Sequence, residues 1–179
     1  ILVVSSNRLG DCILSSGLHQ YFKKNEKNSK VTLVCGEIPS ELFKYCNYVD
    51  ELIILKKKKF ALHWFFLWTK IFLKKWDRIV DLRGTIISFF LFSKENFRYK
   101  NSKKSKNHKV YDISQSITKQ ILPPSINLQN NKKLKGTNFK KIKDLSKTNN
   151  FIMIAPTANW TGKIWPQDRF LKLITILKK

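Results

Sequence analysis

Residues 1–16 read ILVVSSNRLGDCILSS, and this stretch decides the fold class. Its first four residues are continuously apolar, which is typical of a parallel strand that is buried on both faces. A short polar turn follows, and from Cys12 to about Lys24 the apolar residues recur at helical spacing. A buried strand, a polar turn and an amphipathic helix open a βα unit. We therefore expect an α/β protein with a parallel sheet.

The same alternation continues along the chain. Further strands are predicted at residues 31–35, 52–55, 79–82 and 97–99, and helices at residues 39–46, 60–73, 86–92 and 111–121. Strands that alternate with helices require crossover connections, which join parallel neighbours in one sheet. The pattern predicts a Rossmann-like domain.

A second domain is predicted to begin late in the chain. Residues 125–136 are polar and indicate a linker, a helix is predicted around residues 139–145, and residues 151–155 form a new apolar strand. We place the boundary near Lys147, which gives domains 1–147 and 148–179. The chain opens inside an apolar run and closes inside a helical pattern, so we expect it to be a piece of a longer protein.

Composition narrows the environment and the partners. Lys and Arg number 35 against 12 Asp and Glu, a formal net charge of +23 that attracts nucleic acid, anionic lipid or phosphorylated substrates. A compositional bias towards Lys and Asn explains the same surplus equally well. The three cysteines lie in apolar stretches without close pairs, and no signal peptide or membrane-spanning run is visible. These features favour a reducing cytoplasm.

The polar turn after the first strand contains the main candidate for chemistry. In open parallel sheets, ligands bind beyond the carboxyl ends of the strands, where Asp11 is placed. Gly10 is predicted to permit a tight turn before it. On the residues alone, Asp11 serves either as a helix cap that meets the dipole or as an active-site carboxylate. The glycines do not form G-x-G-x-x-G, so a dinucleotide site is not indicated.

Three segments together resemble a known family. The turn 7–11 with its following helix, Val49-Asp50-Glu51, and residues 76–84 (WDRIVDLRG) are similar to glycosyltransferase family 9, the lipopolysaccharide heptosyltransferases. Residues 151–166 (FIMIAPTANWTGKIWP) resemble the start of that family's second domain. Two positions depart from the pattern, because Ala155 stands where the family has His and Thr157 where it has Gly.

The resemblance implies a GT-B architecture, in which a first Rossmann-like domain binds the acceptor and a second binds the sugar nucleotide. Asp11 would be the general base of an inverting transfer of heptose from ADP-heptose to a lipopolysaccharide core, without a metal or other cofactor. The implied acceptor-binding residues are Arg8, Gly10, Arg83 and Gly84, and the implied donor phosphate-binding residues are Thr157, Asn159 and Lys163. Since later donor-site elements are missing, the piece by itself is expected to be inactive.

The aromatic helix at residues 60–73 suggests a second partner. It is apolar on nearly every face and is flanked by residues 56–59, 74 and 75, all lysine. Such a helix suits an anionic bilayer interface, which is where a lipid-linked oligosaccharide acceptor lies. This favours a location on the cytoplasmic face of the inner membrane, although packing on the sheet explains part of the pattern.

Two alternatives remain open from the residues. The charge of +23 is compatible with a nucleic-acid-binding protein, although no binding motif is recognisable. The aromatic helix is compatible with a membrane-associated Rossmann domain without catalytic activity.

Overall fold

The computed structural model describes residues 1–99, 109–128, 152, 154–158 and 160–177. The chain divides into two compact units, Ile1–Asn131 and Lys132–Lys179. The predicted boundary near Lys147, the helix predicted at 139–145 and most of the basic loop before residue 109 lie outside the described residues.

The first unit contains a parallel five-stranded sheet, as the sequence predicts. Its strands pair in the order β3-β2-β1-β4-β5. In chain order they are β1 (Leu2–Val4), β2 (Thr32–Cys35), β3 (Glu51–Ile54), β4 (Trp76–Asp81) and β5 (Ser93–Arg98). The strand order reverses at β1, from which the chain continues first to β2 and β3 on one side and then to β4 and β5 on the other. The α/β, Rossmann-like fold class is confirmed.

Helices connect these strands. They are α1 (Leu9–Leu14), α2 (Gly17–Asn25), α3 (Glu37–Phe43), α4 (Leu62–Ile71) and α5 (Lys109–Thr118). One 3₁₀ helix, Lys59–Ala61, precedes α4, and a second, Ile86–Phe90, follows β4. The aromatic segment is therefore mostly α4. The helix predicted at 86–92 is instead a 3₁₀ turn.

Alternate residues of the central strands enter two hydrophobic clusters. Val3 and Leu33 lie in the first core cluster with Phe22 of α2, and Leu2 and Val34 lie in the second with residues of α4 and of the segment after β4. Successive side chains of a strand point to opposite faces, so both faces of this sheet are covered by helices.

The helix predicted from Cys12 to Lys24 is broken between α1 and α2. The Ser15 hydroxyl donates to the Asp11 carbonyl at 3.0 Å, and the Ser16 hydroxyl donates to the Ile13 carbonyl at 2.7 Å. Such bonds compete with the helical ladder. The Ser16 hydroxyl also accepts from the backbone N–H of Ser125, which fixes a distant loop at the break. This long-range contact has no local sequence signal.

His19 of α2 is fully buried, and its chemistry makes the fold sensitive to acid. Neither ring nitrogen has a hydrogen-bond partner among the described residues, and the ring meets Phe43 edge-on at 5.6 Å. Burial lowers the pKa of His19 from its ordinary 6.5 to about 4, because the charged imidazolium would lose its hydration. The folded state therefore holds a neutral imidazole well below pH 6.5.

We expect the free energy of unfolding to decrease as the pH falls from 6.5 towards 4, by about 1.4 kcal/mol per unit, because only the unfolded chain takes up the proton there. Urea titrations at pH 7 and pH 5 measure this. The His19→Leu variant is the control, since it cannot titrate and should lose less stability over the same interval. Equal losses in the two proteins would contradict the assignment.

The second unit contains a 3₁₀ helix, Thr161–Lys163, and α6 (Gln167–Leu177). Helix α6 begins directly after Pro166, whose carbonyl accepts from the N–H groups of Arg169 and Phe170. The strand predicted at 151–155 lies partly outside the described residues, and its described residues Ile152, Ile154 and Ala155 are not assigned to a strand.

Candidate functional site

The connections after β1 and β4 diverge to opposite faces of the sheet. Cys12, in the helix that follows β1, belongs to the first core cluster, whereas Ile87, which follows β4, belongs to the second. The two strands are direct neighbours. Adjacent connections that separate in this way leave a crevice at the carboxyl end of the sheet, which is where open α/β sheets bind ligands. We call it the switch-point crevice.

The turn after β1 presents Asp11 at this crevice. The Asp11 carboxylate is exposed, and its Oδ2 accepts a hydrogen bond from the Ser6 hydroxyl at 3.1 Å. Ser6 Oγ in turn accepts from the backbone N–H of Arg8 at 3.1 Å, which orients the hydroxyl towards the carboxylate. Within the described part of the chain, Asp11 forms no ion pair with Arg8 or another cation. The carboxylate is oriented and open to solvent.

The turn after β4 is held by a buried carboxylate, Asp81. This side chain is 0% exposed and accepts hydrogen bonds from Arg83 N at 3.0 Å, Thr85 N at 2.6 Å and Thr85 Oγ1 at 2.7 Å. Gly84 lies within this turn at a φ of 65°, which favours glycine. Asp81 therefore fixes the backbone that carries Arg83.

Arg83 links the two turns. Its Nη1 donates to Asn7 Oδ1 at 3.2 Å, and its guanidinium carbon lies 4.9 Å from the centre of the Trp64 ring of α4. The guanidinium has no carboxylate partner among residues 1–99 and the other described stretches. Its positive charge remains available to an anionic ligand in the switch-point crevice.

The structure brings together part of the predicted site. Arg8 lies in the turn after β1, Asp11 lies in the first turn of α1, and Arg83 and Gly84 lie in the turn after β4; these segments border the crevice. Gly10 lies inside α1, rather than in a tight turn, and its φ is not positive. No atom lies within 4 Å of a Cβ built on Gly10, so glycine is not required there by packing. The prediction that Gly10 permits a tight turn is therefore wrong. Gly10 nevertheless lies next to Asp11 in the first turn of α1.

Residues that the sequence analysis did not select complete the crevice. They are Ser6, Asn7, Gly36, Trp64, Asp81 and Thr85. Gly36 follows β2, and a Cβ there would lie 2.8 Å from the Asn7 Cα, so only glycine permits the two backbones to approach this closely. A glycine directly after a predicted strand was the available signal for this contact.

The predicted donor residues belong to the second unit. Thr157 is exposed. Lys163 is the last residue of an exposed 3₁₀ turn, and its backbone N–H donates to the Trp160 carbonyl at 2.9 Å. Asn159 lies outside the described residues. The Trp165 ring contacts Phe170 edge-on at 4.9 Å, so it packs on α6. The phosphate-binding roles of Thr157, Asn159 and Lys163 remain predictions.

The described residues contain neither a metal-binding cluster nor a membrane-spanning helix. Among those residues, no group of three or more His, Cys, Asp or Glu side chains is close enough to hold a metal ion. Within the same part of the chain, none of the helices combines the length and the apolar character needed to cross a bilayer.

Several solved structures share this fold. A glycosyl transferase of family 9 from Veillonella parvula DSM 2008 is similar at a TM-score of 0.71 and 15% identity, over 98% of this chain and 58% of that one. The E. coli heptosyltransferase WaaC is similar at 12% identity, with TM-scores of 0.61 in its structure with ADP and 0.60 with ADP-2-deoxy-2-fluoro heptose. No protein-family model matches the chain, and no curated protein matches its sequence.

These similarities confirm, for the fold, the predicted resemblance to glycosyltransferase family 9. The matches to the two WaaC structures include 98% of this chain but only 63% and 64% of the WaaC chains. This chain thus spans about three fifths of the length of the structures that it matches.

Proposed function

We propose that this chain is the acceptor-side portion of an inverting glycosyltransferase, with the beginning of its donor-side domain. The proposed substrates are a nucleotide sugar, ADP-heptose, and a lipid-linked oligosaccharide of the lipopolysaccharide core. Support for the donor class comes from the shared fold, since two of the similar structures contain ADP or an ADP-heptose analogue. Since the chain spans only part of those proteins, we expect activity to require the remainder.

The proposed reaction uses Asp11 as general base. Its carboxylate takes the proton of an acceptor hydroxyl while the hydroxyl oxygen attacks the anomeric carbon of the donor from the face opposite the nucleotide. The new C–O bond forms as the bond to the diphosphate breaks, so the configuration inverts and the nucleoside diphosphate leaves with the electron pair. Lys163, with Thr157 and Asn159, would bind the diphosphate and offset its growing negative charge. We infer that the reaction requires no metal or other cofactor.

One observation carries this proposal: the oriented Asp11 carboxylate and the Arg83 guanidinium, neither of which has an ion-pair partner in the described part of the chain, lie on two segments that the Arg83–Asn7 hydrogen bond joins at the switch-point crevice. Asp11 is suited to accept a proton, and Arg83 to hold an anionic group of the acceptor. The test is a transfer assay in which the full-length protein, ADP-heptose and a deacylated core acceptor release ADP. Release of ADP from ADP-heptose only when the acceptor is also present would support it, and no release with any nucleotide heptose would contradict it.

We further propose that the protein works on the cytoplasmic face of the inner membrane. Exposed apolar side chains cluster on α4 and its flanks, including Phe60, which is 93% exposed. Lys57 and Lys59 beside them are also exposed. Apolar rings and lysines on one surface suit an anionic interface.

The expected result of a sedimentation assay is binding to vesicles that contain phosphatidylglycerol and little binding to phosphatidylcholine vesicles. Phe60→Ser should weaken this binding, because it removes apolar surface from the interface. Ile38→Ser is the matched control, since Ile38 is 70% exposed on α3, which packs in the first core cluster, whereas α4 packs in the second. Equal effects of the two substitutions would contradict the assigned surface.

The two alternatives are not favoured. Among the described residues of the first unit, every exposed aromatic side chain except Phe92 lies on a helix, whereas proteins that stack single-stranded bases commonly present them on a sheet. A domain without catalytic activity has no need of an oriented, solvent-exposed carboxylate at the switch point. Gel shifts at two salt concentrations separate the nucleic-acid alternative from the enzyme.

A further inference from the structure

An apolar groove lies next to the switch-point crevice. Its volume is about 510 Å³, which is within the range of small-molecule sites. It runs between α4 and the 3₁₀ helix after β4 and is lined by Ala61, Trp64, Phe65, Trp68, residues 84–87 and Phe90. We call it the aromatic groove.

The walls of the aromatic groove are fixed to each other. The Trp68 indole N–H donates to the Phe90 carbonyl at 3.1 Å, and the Trp68 ring stacks on Phe72 at 4.4 Å. Ile87 is only 7% exposed and belongs to the second core cluster. The groove is therefore a preformed feature anchored on the core, and its surface is apolar.

One end of the groove meets a positive charge. Gly84 and Thr85 line the groove and belong to the same turn as Arg83. The Arg83 guanidinium lies 4.9 Å from the Trp64 ring, which forms one wall, and reaches Asn7 in the turn that leads into α1 and Asp11. An anionic head at Arg83 would thus have an apolar channel on one side and the candidate base on the other.

We propose that the aromatic groove binds one alkyl chain of an anionic amphiphile whose head group contacts Arg83. That this amphiphile is the acceptor rests on the proposed function. A chain in the groove would remove apolar surface from water and would place the polar head at the switch-point crevice. The match of an apolar groove with a guanidinium that has no carboxylate partner in the described chain favours this occupant over a neutral lipid or a peptide.

The test uses alkyl phosphates of increasing length, kept below their micelle concentrations, and follows binding to the full-length protein by calorimetry. Affinity should rise about fourfold per added methylene while the chain fills the groove, and then level off. An alkyl alcohol of equal length should bind more weakly, because it lacks the charge for Arg83. An affinity that rises without levelling, or no binding at any length, would overturn the proposal.

Two neighbouring phenylalanines provide a matched pair of variants. Phe90 lines the groove and is 65% exposed, whereas Phe89 is 66% exposed on the same 3₁₀ helix and does not line it. Phe90→Ser should lower the affinity for decyl phosphate by at least tenfold, and Phe89→Ser should leave it unchanged. Equal losses would indicate adsorption to a general apolar surface and would contradict the proposal.

The assay separates this proposal from the proposed function. Alkyl phosphate binding requires no sugar donor and no transfer, so failure to bind contradicts the groove alone. Absence of sugar transfer in a protein that binds alkyl phosphates contradicts the enzymatic assignment alone. Phe65→Ser, at a second lining position that is 59% exposed, repeats the test should Phe90→Ser alter the fold.

Discussion

Replacement of Asp11 by Asn is expected to lower the turnover of the full-length enzyme by about 10²- to 10⁴-fold, because the amide cannot accept the acceptor proton. The substitution preserves the shape of the side chain and an oxygen that can accept the hydrogen bond from Ser6. The turnover number in the transfer assay measures the effect. The dissociation constant of the donor should stay the same, since the implied donor residues belong to the second unit.

The control for this substitution is Asp112→Asn. Asp112 also lies in the first turn of a helix, α5, which follows β5 rather than β1 or β4. Both variants lose a negative charge near a helix N-terminus, so they share the small loss of dipole stabilisation. Only the Asp11 variant should lose turnover. If it keeps turnover within a few-fold of the parent enzyme, Asp11 is not the base and only its capping role remains.

The strand pattern could be predicted from the sequence because each central strand contains a short, continuous apolar run. Val3 and Leu33 pack in the core on one face of the sheet, and Leu2 and Val34 pack in the core on the other. Continuous apolar runs are the expected signature of strands that are buried on both faces. The position of Asp11 follows from the same argument, because the first turn of a helix that follows a parallel strand lies at the carboxyl edge of the sheet.

The rest of the site depends on contacts that local sequence does not encode. Asn7 meets Arg83 across 76 sequence positions, and the Ser16 hydroxyl meets Ser125 across 109. The break between α1 and α2 also escaped prediction, because apolar periodicity continues through the two serines. Gly17 follows that break, and a Cβ on it would lie 2.3 Å from the Pro123 carbonyl oxygen. Tertiary packing decides such positions.

The other large effect is expected at Asp81, where substitution should reduce both the stability of the fold and the binding of the acceptor. Asp81→Ala removes the acceptor of hydrogen bonds from Arg83 N, Thr85 N and Thr85 Oγ1. Hydrogen bonds to a charged group contribute about 1.5–3 kcal/mol each, and water partly replaces them once the turn is released. The expected loss in free energy of unfolding is about 3–5 kcal/mol, measured by urea titration.

Asp81 acts on the reaction through Arg83, so it is a positioning residue. The milder Asp81→Asn variant retains one acceptor oxygen and should still fold at 25 °C. Because the turn that carries Arg83 is then held less firmly, we expect a KM for the acceptor that is raised about tenfold or more, with a smaller change in kcat. If the Asp81→Asn variant has an unchanged KM for the acceptor but a lower free energy of unfolding, Asp81 has a structural role only.

Asp50 provides the comparison that separates stability from positioning. Its carboxylate also accepts from a backbone N–H, that of Val31 at 2.7 Å, and pairs with Lys23 at 2.9 Å. Val31 precedes β2, so this contact lies at the amino end of the sheet, opposite the switch-point crevice. Asp50→Asn should therefore destabilise the protein and leave the KM for the acceptor unchanged. Equal increases in the KM for the acceptor in the Asp50 and Asp81 variants would contradict this assignment. Acceptor binding would then follow global stability and would not depend on the turn that carries Arg83.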